Sequence, residues 1–189
     1  MLVLVLGLVI FLGIHSVRIV APNWRAARVA SVGEQRWKGI YSLASLVGLV
    51  LIVWGYAIAW PAAPVLYDPP LWLRHVTALL MFFAFVSLMV FNLPAGRLKP
   101  ALKHPFLIAV KIWALAHLLA NGDLASVVLF GSFLAWAVAD RIAVGRRGET
   151  EPKAGPAKWD GAAFAAAALL YGLFVWKLHF WLFGVQPLA

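Results

Sequence analysis

An all-α bundle of about six membrane-spanning helices is the fold this chain predicts, and three observations carry that prediction. Hydrophobic residues fill 64% of the 189 positions, charged residues fill only 12%, and the mean hydropathy is +0.90. A soluble domain of this size has no interior large enough to hide so much apolar side chain. The apolar residues gather into six runs, and most of the basic residues fall between the runs instead of within them.

The runs cover residues 1–19, 40–60, 71–92, 105–120, 123–140 and 160–184, against about 20 residues needed to cross a bilayer as a helix. The first run carries no positive side chain in its first seventeen residues, and arginines follow its apolar core. That order describes a retained helix with its N-terminus outside, not a cleaved signal. Residues Asn23 to Lys38 mix Trp24, Val29, Val32 and Trp37 with basic side chains; they fit an amphipathic segment on the inner surface and, equally, a solvated loop. Small residues at helical spacing mark packing ridges on two spans: Ser42, Ser45, Gly48 and Gly55 on the second, and Gly161, Ala165, Ala168 and Gly172 on the sixth. The fourth and fifth runs are short and joined only by Asn121-Gly122-Asp123, which predicts a tight helical hairpin whose tip dips below the headgroups. Residues 142–159, around Gly145 to Lys158, have the Gly, Pro and charge content of a flexible cytoplasmic loop. All of 1–189 is expected to form one transmembrane domain.

Sidedness follows from the basic residues. Thirteen of the sixteen Lys and Arg lie in three loops, Arg18 to Lys38, Arg97 to Lys103 and Arg141 to Lys158, whereas the opposite loops and the tail after Phe183 have none. The positive-inside rule makes the three basic loops cytoplasmic and puts both termini outside. The net charge of +9 is therefore topological, and the expected surroundings are membrane lipids with no nucleic acid. The chain has no cysteine, which excludes disulfides, thiolate metal sites and iron–sulfur clusters. Any metal or haem must be held mainly by histidine.

Ionisable groups inside a span are expensive and call for a reason. On the fourth run His104 and Lys111 share a face, while His117, thirteen residues beyond His104, is rotated by roughly 140 degrees and shares its face with Trp113 and Asn121. His104, just before Pro105 at a helix start, has the character of an interfacial residue; His117 is deeper and is followed by a polar turn. In that turn Asp123 can cap the next helix while Gly122 supplies an unusual backbone angle, and Asn121 or Asp123 can orient His117 by a hydrogen bond. On the first run Phe11, His15 and Arg18 share one face. His75 and His179, at the depth of His117, are candidates with Asp123 for an outer metal or quinone site, and equally are ordinary interfacial histidines.

The segments Leu12-Gly13-Ile14-His15-Ser16, Arg36-Trp37-Lys38-Gly39-Ile40-Tyr41-Ser42, and His104-Pro105 with Trp113 to Asp123, resemble the NnrU family over most of the chain. The resemblance implies a bacterial inner-membrane protein linked to nitric oxide and denitrification, with a plant relative, the 15-cis-zeta-carotene isomerase, that carries haem b. The axial histidines of that branch correspond to His15 and His117, with His104 as an alternative ligand, Arg18 and Lys111 as propionate partners, and Asn121 and Asp123 behind His117. Along the membrane normal His15 and His117 are expected to differ by about 13 Å at 1.5 Å per residue, whereas His104 is level with His15. Where the plant enzyme has a further histidine after its second span this chain has Tyr56, and its Arg-His-Pro is here Lys103-His104-Pro105. The expected function is haem-based redox or gas chemistry, with nitric oxide or a hydrophobic small molecule as partner. Isomerisation of a carotenoid-like or other isoprenoid lipid, and a non-catalytic scaffold or assembly role, are the alternatives.

Overall fold

The computed structural model describes residues 1–148 and 152–188, and it is helical nearly throughout. The helices are α1 (Leu2–Val20), α2 (Pro22–Val32), α3 (Glu34–Ala59), α4 (Leu73–Asn92), α5 (Leu98–Leu102), α6 (Pro105–Ala120), α7 (Leu124–Arg147), α8 (Lys158–Leu173) and α9 (His179–Phe183). A 3₁₀ turn, Trp60–Ala62, closes α3, and a π turn, Phe174–Leu178, joins α8 to α9 without a break. Among the described residues the only extended pairing is one isolated bridge, Val65 with Asp123.

Among the described residues five helical segments are long and apolar enough to span a membrane: Leu2–Val20, Glu34–Ala62, Leu73–Asn92, Leu124–Arg147 and Lys158–Phe183. The sixth apolar helix, α6, has 16 residues and at 1.5 Å per residue extends about 24 Å. The expected short fourth run is thus short, but the fifth is not, because α7 continues helical to Arg147. Of the flexible loop expected over 142–159, residues 142–147 belong to α7 and α8 begins at Lys158. Residues 149–151 of that loop lie outside the described residues. Residues Asn23 to Lys38 are not a plain loop: α2 occupies Pro22–Val32, Gly33 breaks it at φ 87°, and α3 starts at once with an i,i+4 ion pair, Lys38 to Glu34 at 2.7 Å. Trp24 of α2 packs against Trp37 of α3, with ring centroids 6.0 Å apart.

The chain forms two compact units, Met1–Tyr67 with Gly122–Arg146, and Asp68–Asn121 with Arg147–Ala189. In the first unit α1 and α3 meet backbone to backbone. A Cβ at Gly7 would lie 2.6 Å from the Ile52 nitrogen, one at Gly48 2.7 Å from the Phe11 nitrogen, and one at Gly55 would strike the backbone of Leu4. Only glycine admits that approach, so the ridge predicted on the second span is real at Gly48 and Gly55.

In the second unit α4 packs on α6 and on α8. Two side-chain hydrogen bonds clip α4 to α6 near opposite ends: the half-buried Thr77 hydroxyl donates to the Ala116 carbonyl at 2.9 Å, and the buried Ser87 hydroxyl to the Pro105 carbonyl at 2.8 Å. Against α8, Val86 and Val90 pack on Ala163 and Ala167 with Phe82, Phe85 and Met89 around them. The expected ridge on this span is therefore out of phase. Gly161 and Gly172 have nothing within 4 Å of a built Cβ, and the helix turns Ala163 and Ala167 inward instead. The loop before α5 is tied to the start of α8, where Asp160 accepts from the Arg97 and Leu98 amides at 2.9 and 3.1 Å.

Candidate functional site

His15 stands on α1 in an aromatic setting within the first unit. Its Nδ1 lies 2.7 Å from the Phe11 carbonyl one turn back, and because a carbonyl only accepts, Nδ1 carries the hydrogen. That fixes the tautomer: Nε2 holds the lone pair and points away from the helix's own backbone. The imidazole stacks on the Phe11 ring at 4.3 Å, has Tyr41 of α3 at 5.1 Å, and stands perpendicular to Trp136 of α7 at 6.0 Å between centroids. Phe133, one turn before Trp136, completes the group through Phe11 at 5.8 Å. The Trp136 indole nitrogen is buried and has no hydrogen-bond partner among the described residues.

His117 repeats the same local construction in the second unit. Its Nδ1 donates to the Trp113 carbonyl at 2.8 Å, with the Trp113 ring at 5.5 Å, so here too Nε2 carries the lone pair. Asn121 closes the turn beneath it: both its backbone and its side-chain nitrogen donate to the His117 carbonyl, at 2.9 and 2.8 Å. The shared face of Trp113, His117 and Asn121 expected from helical phase is thus in place. Ligating histidines characteristically donate the second ring nitrogen to a backbone carbonyl, which orients the ring and raises its basicity. The His15 imidazole, held through Nδ1 among aromatic rings, has the chemistry of a haem ligand, and His117 has the same backbone lock.

The remaining candidates fall as follows. Arg18 is exposed on the last turn of α1, and Lys111 is half-buried midway along α6. His104 forms the N-cap of α6, its carbonyl accepting from Ile108 at 3.1 Å. Just before it, Lys103 has φ 60° and ψ −57°, and the His104 amide donates across it to Leu102 at 2.6 Å; this is the strained γ-turn geometry that non-glycine residues seldom adopt. Asp123 belongs to the first unit and caps α7, accepting from the Ser126 amide at 2.9 Å and the Ser126 hydroxyl at 2.6 Å. Among the described residues no group of three or more His, Cys, Asp and Glu is placed to hold a metal ion. His75, His117 and His179 all belong to the second unit.

Two features escaped the sequence reading. Ser126, wholly buried, passes the Asp123 bond on to Tyr56, whose hydroxyl lies 2.8 Å from the Ser126 oxygen. Since the carboxylate takes the Ser126 hydrogen, Tyr56 donates to Ser126, giving a chain Tyr56 to Ser126 to Asp123 from α3 to the start of α7. Its trace in the sequence is the Asp-x-x-Ser spacing of a helix cap. Gly122 serves close approach instead of an unusual angle: it is absent from the positive-φ glycines, and a Cβ there would strike the Tyr67 carbonyl. Its carbonyl accepts from Leu66 at 2.8 Å, and Leu124 donates to Pro64 at 3.0 Å, which splices the segment after α3 onto the turn. Burial, and then the nearby Asp123 carboxylate, push the Tyr67 phenol above its ordinary pKa.

Residues 3–187 match the family model described as NnrU protein. No curated protein and no solved structure matches the chain.

Proposed function

The chain belongs to the NnrU family, and from that membership and its apolar helices we propose a six-span integral membrane protein of the bacterial inner membrane that binds haem b, with His15 and His117 as axial ligands. The observation that carries the haem assignment is the identical lock on both histidines, Nδ1 to the carbonyl four residues back. When bound, haem b would supply one-electron redox chemistry, in keeping with the link to nitric oxide and denitrification that the family resemblance implies. The chain's own part would be to hold two imidazoles by their backbones, to keep water away with apolar helices, and to offer Arg18 and Lys111 to the propionates.

Six crossings, not five, suit the charge distribution. If α6 did not cross, the basic loop Arg141 to Lys158 would face the side opposite Arg97 to Lys103, against the positive-inside rule. With α6 crossing, all three basic loops share the cytoplasm and both termini lie outside.

Absorption spectra of the purified protein, oxidised and reduced, test the haem assignment alongside His15→Ala and His117→Ala. A Soret band in the wild type that is lost or shifted in each variant is expected. No Soret band after expression with ample haem would overturn the proposal, and full haem retention by both variants would move the ligand set to His104.

A further inference from the structure

The Trp136 indole is the one aromatic beside His15 that carries a buried donor without a partner. A buried N–H with nothing to donate to costs stability and calls for an explanation. The phenyl rings of Phe11 and Phe133 carry no acceptor, the His15 Nδ1 is already committed to a carbonyl, and the His15 Nε2, though close by, makes no hydrogen bond with the indole. In the same unit the Ser45 hydroxyl is also buried without a partner among the described residues, whereas Tyr56, Ser126 and Asp123 form a matched chain.

We propose that the Trp136 Nε1–H is a ligand-recognition donor, and that its acceptor is a carboxylate of the porphyrin ligated through His15. The inference rests on the haem reading above and adds a residue to it. The indole stands perpendicular to the imidazole, with ring centroids 6.0 Å apart, so it is a near neighbour of whatever the imidazole holds. A porphyrin held by that nitrogen carries two propionates at its edge, and those are its only strong acceptors. An indole N–H in an apolar wall discriminates sharply for such a group, because it can donate but cannot accept. Arg18, one turn farther along α1, would then serve the propionate by charge while Trp136 serves it by direction.

The test is titration of the detergent-solubilised full chain with ferric haem, followed by the Soret band, for wild type and Trp136→Phe, each with haem and with its propionate dimethyl ester. Roughly tenfold weaker binding of haem to Trp136→Phe is expected, the order contributed by a hydrogen bond to a charged group. The ester should bind wild type more weakly than haem does, and Trp136→Phe should bind the ester no worse than wild type does, so that the two losses do not add. Should the phenylalanine variant not fold, 3-benzothienylalanine at position 136 keeps the bicyclic ring without the N–H and carries the same comparison. A wild-type Soret band with unchanged affinity in the variant overturns the Trp136 assignment and leaves the haem reading standing. A loss of affinity that is equal for haem and ester makes Trp136 a packing group and overturns it as well. No Soret band in the wild type overturns both.

Discussion

The two ends of the first unit handle polarity in opposite ways. Around Tyr56, Ser126 and Asp123 each hydroxyl donates to the next group and the chain ends on a carboxylate. Around Tyr41, His15 and Trp136, fifteen residues back along α3 and about 22 Å away at 1.5 Å per residue, the rings pack but an indole N–H has no partner and an imidazole presents a lone pair. In an apolar medium an unmatched donor is a standing cost. The closed end therefore looks built to hold helices together, and the open end to hold something else.

The largest expected effect comes from wedging the helices that define both ends. Gly55→Leu should cost about 3 kcal/mol or more in thermal unfolding followed by circular dichroism, since overpacking against backbone cannot relax by moving a side chain. Gly48→Leu should cost a similar amount and also displace Phe11, the acceptor of the His15 lock. Greater loss of haem from Gly48→Leu than from Gly55→Leu, at equal stability, would sharpen the contrast; equal loss would blur it. Next, Ser126→Ala strands the Tyr56 hydroxyl and removes one bond to Asp123. It should cost about 1–3 kcal/mol while leaving haem affinity as in the wild type, and a matching drop in affinity would break the division between the ends. Tyr56→Phe removes only the terminal donor and should cost about 0.6 kcal/mol, near the mean for side-chain hydrogen bonds within membranes. Last, Gly161→Leu on α8 should change stability by less than about 0.5 kcal/mol, because a side chain there meets open space. A large loss from it would put the packing face of α8 elsewhere.

Hydropathy and charge made the helical spans legible, since both follow from burying backbone polar groups in lipid. They misplaced ends where a helix runs past its apolar stretch. Glu34 to Gly39 and residues 141–147 are helical although charged or polar, because aqueous helix ends need no apolar side chains. The packing face of α8 was misread for a different reason. Alanine is so frequent there that several phases look alike, and only the partner, Val86 and Val90 on α4, selects Ala163 and Ala167. At the candidate site, helical phase correctly grouped Phe11 with His15, and Trp113 with His117 and Asn121. It had no access to Tyr41, Trp136 or Ser126, whose roles depend on contacts between helices distant in sequence. The backbone locks on the two histidines were equally hidden, since every helical residue has a carbonyl four positions back and only the rotamer decides its use.

The π turn at Phe174–Leu178 bears on how this protein tolerates change in length. A π turn holds one more residue than an α turn for the same circuit, so it stores a single-residue insertion without rotating what lies on either side. Before it, Tyr171 meets Phe82 and Phe85 of α4; within it, Phe174 meets Phe85. Deleting one residue between positions 175 and 178 would let the span close into a regular helix with Ala163, Ala167 and Tyr171 still facing α4. The same deletion among residues 163–171 would swing that face by roughly 100 degrees. The final span thus has a built-in splice point, where its length can drift while its packing stays fixed.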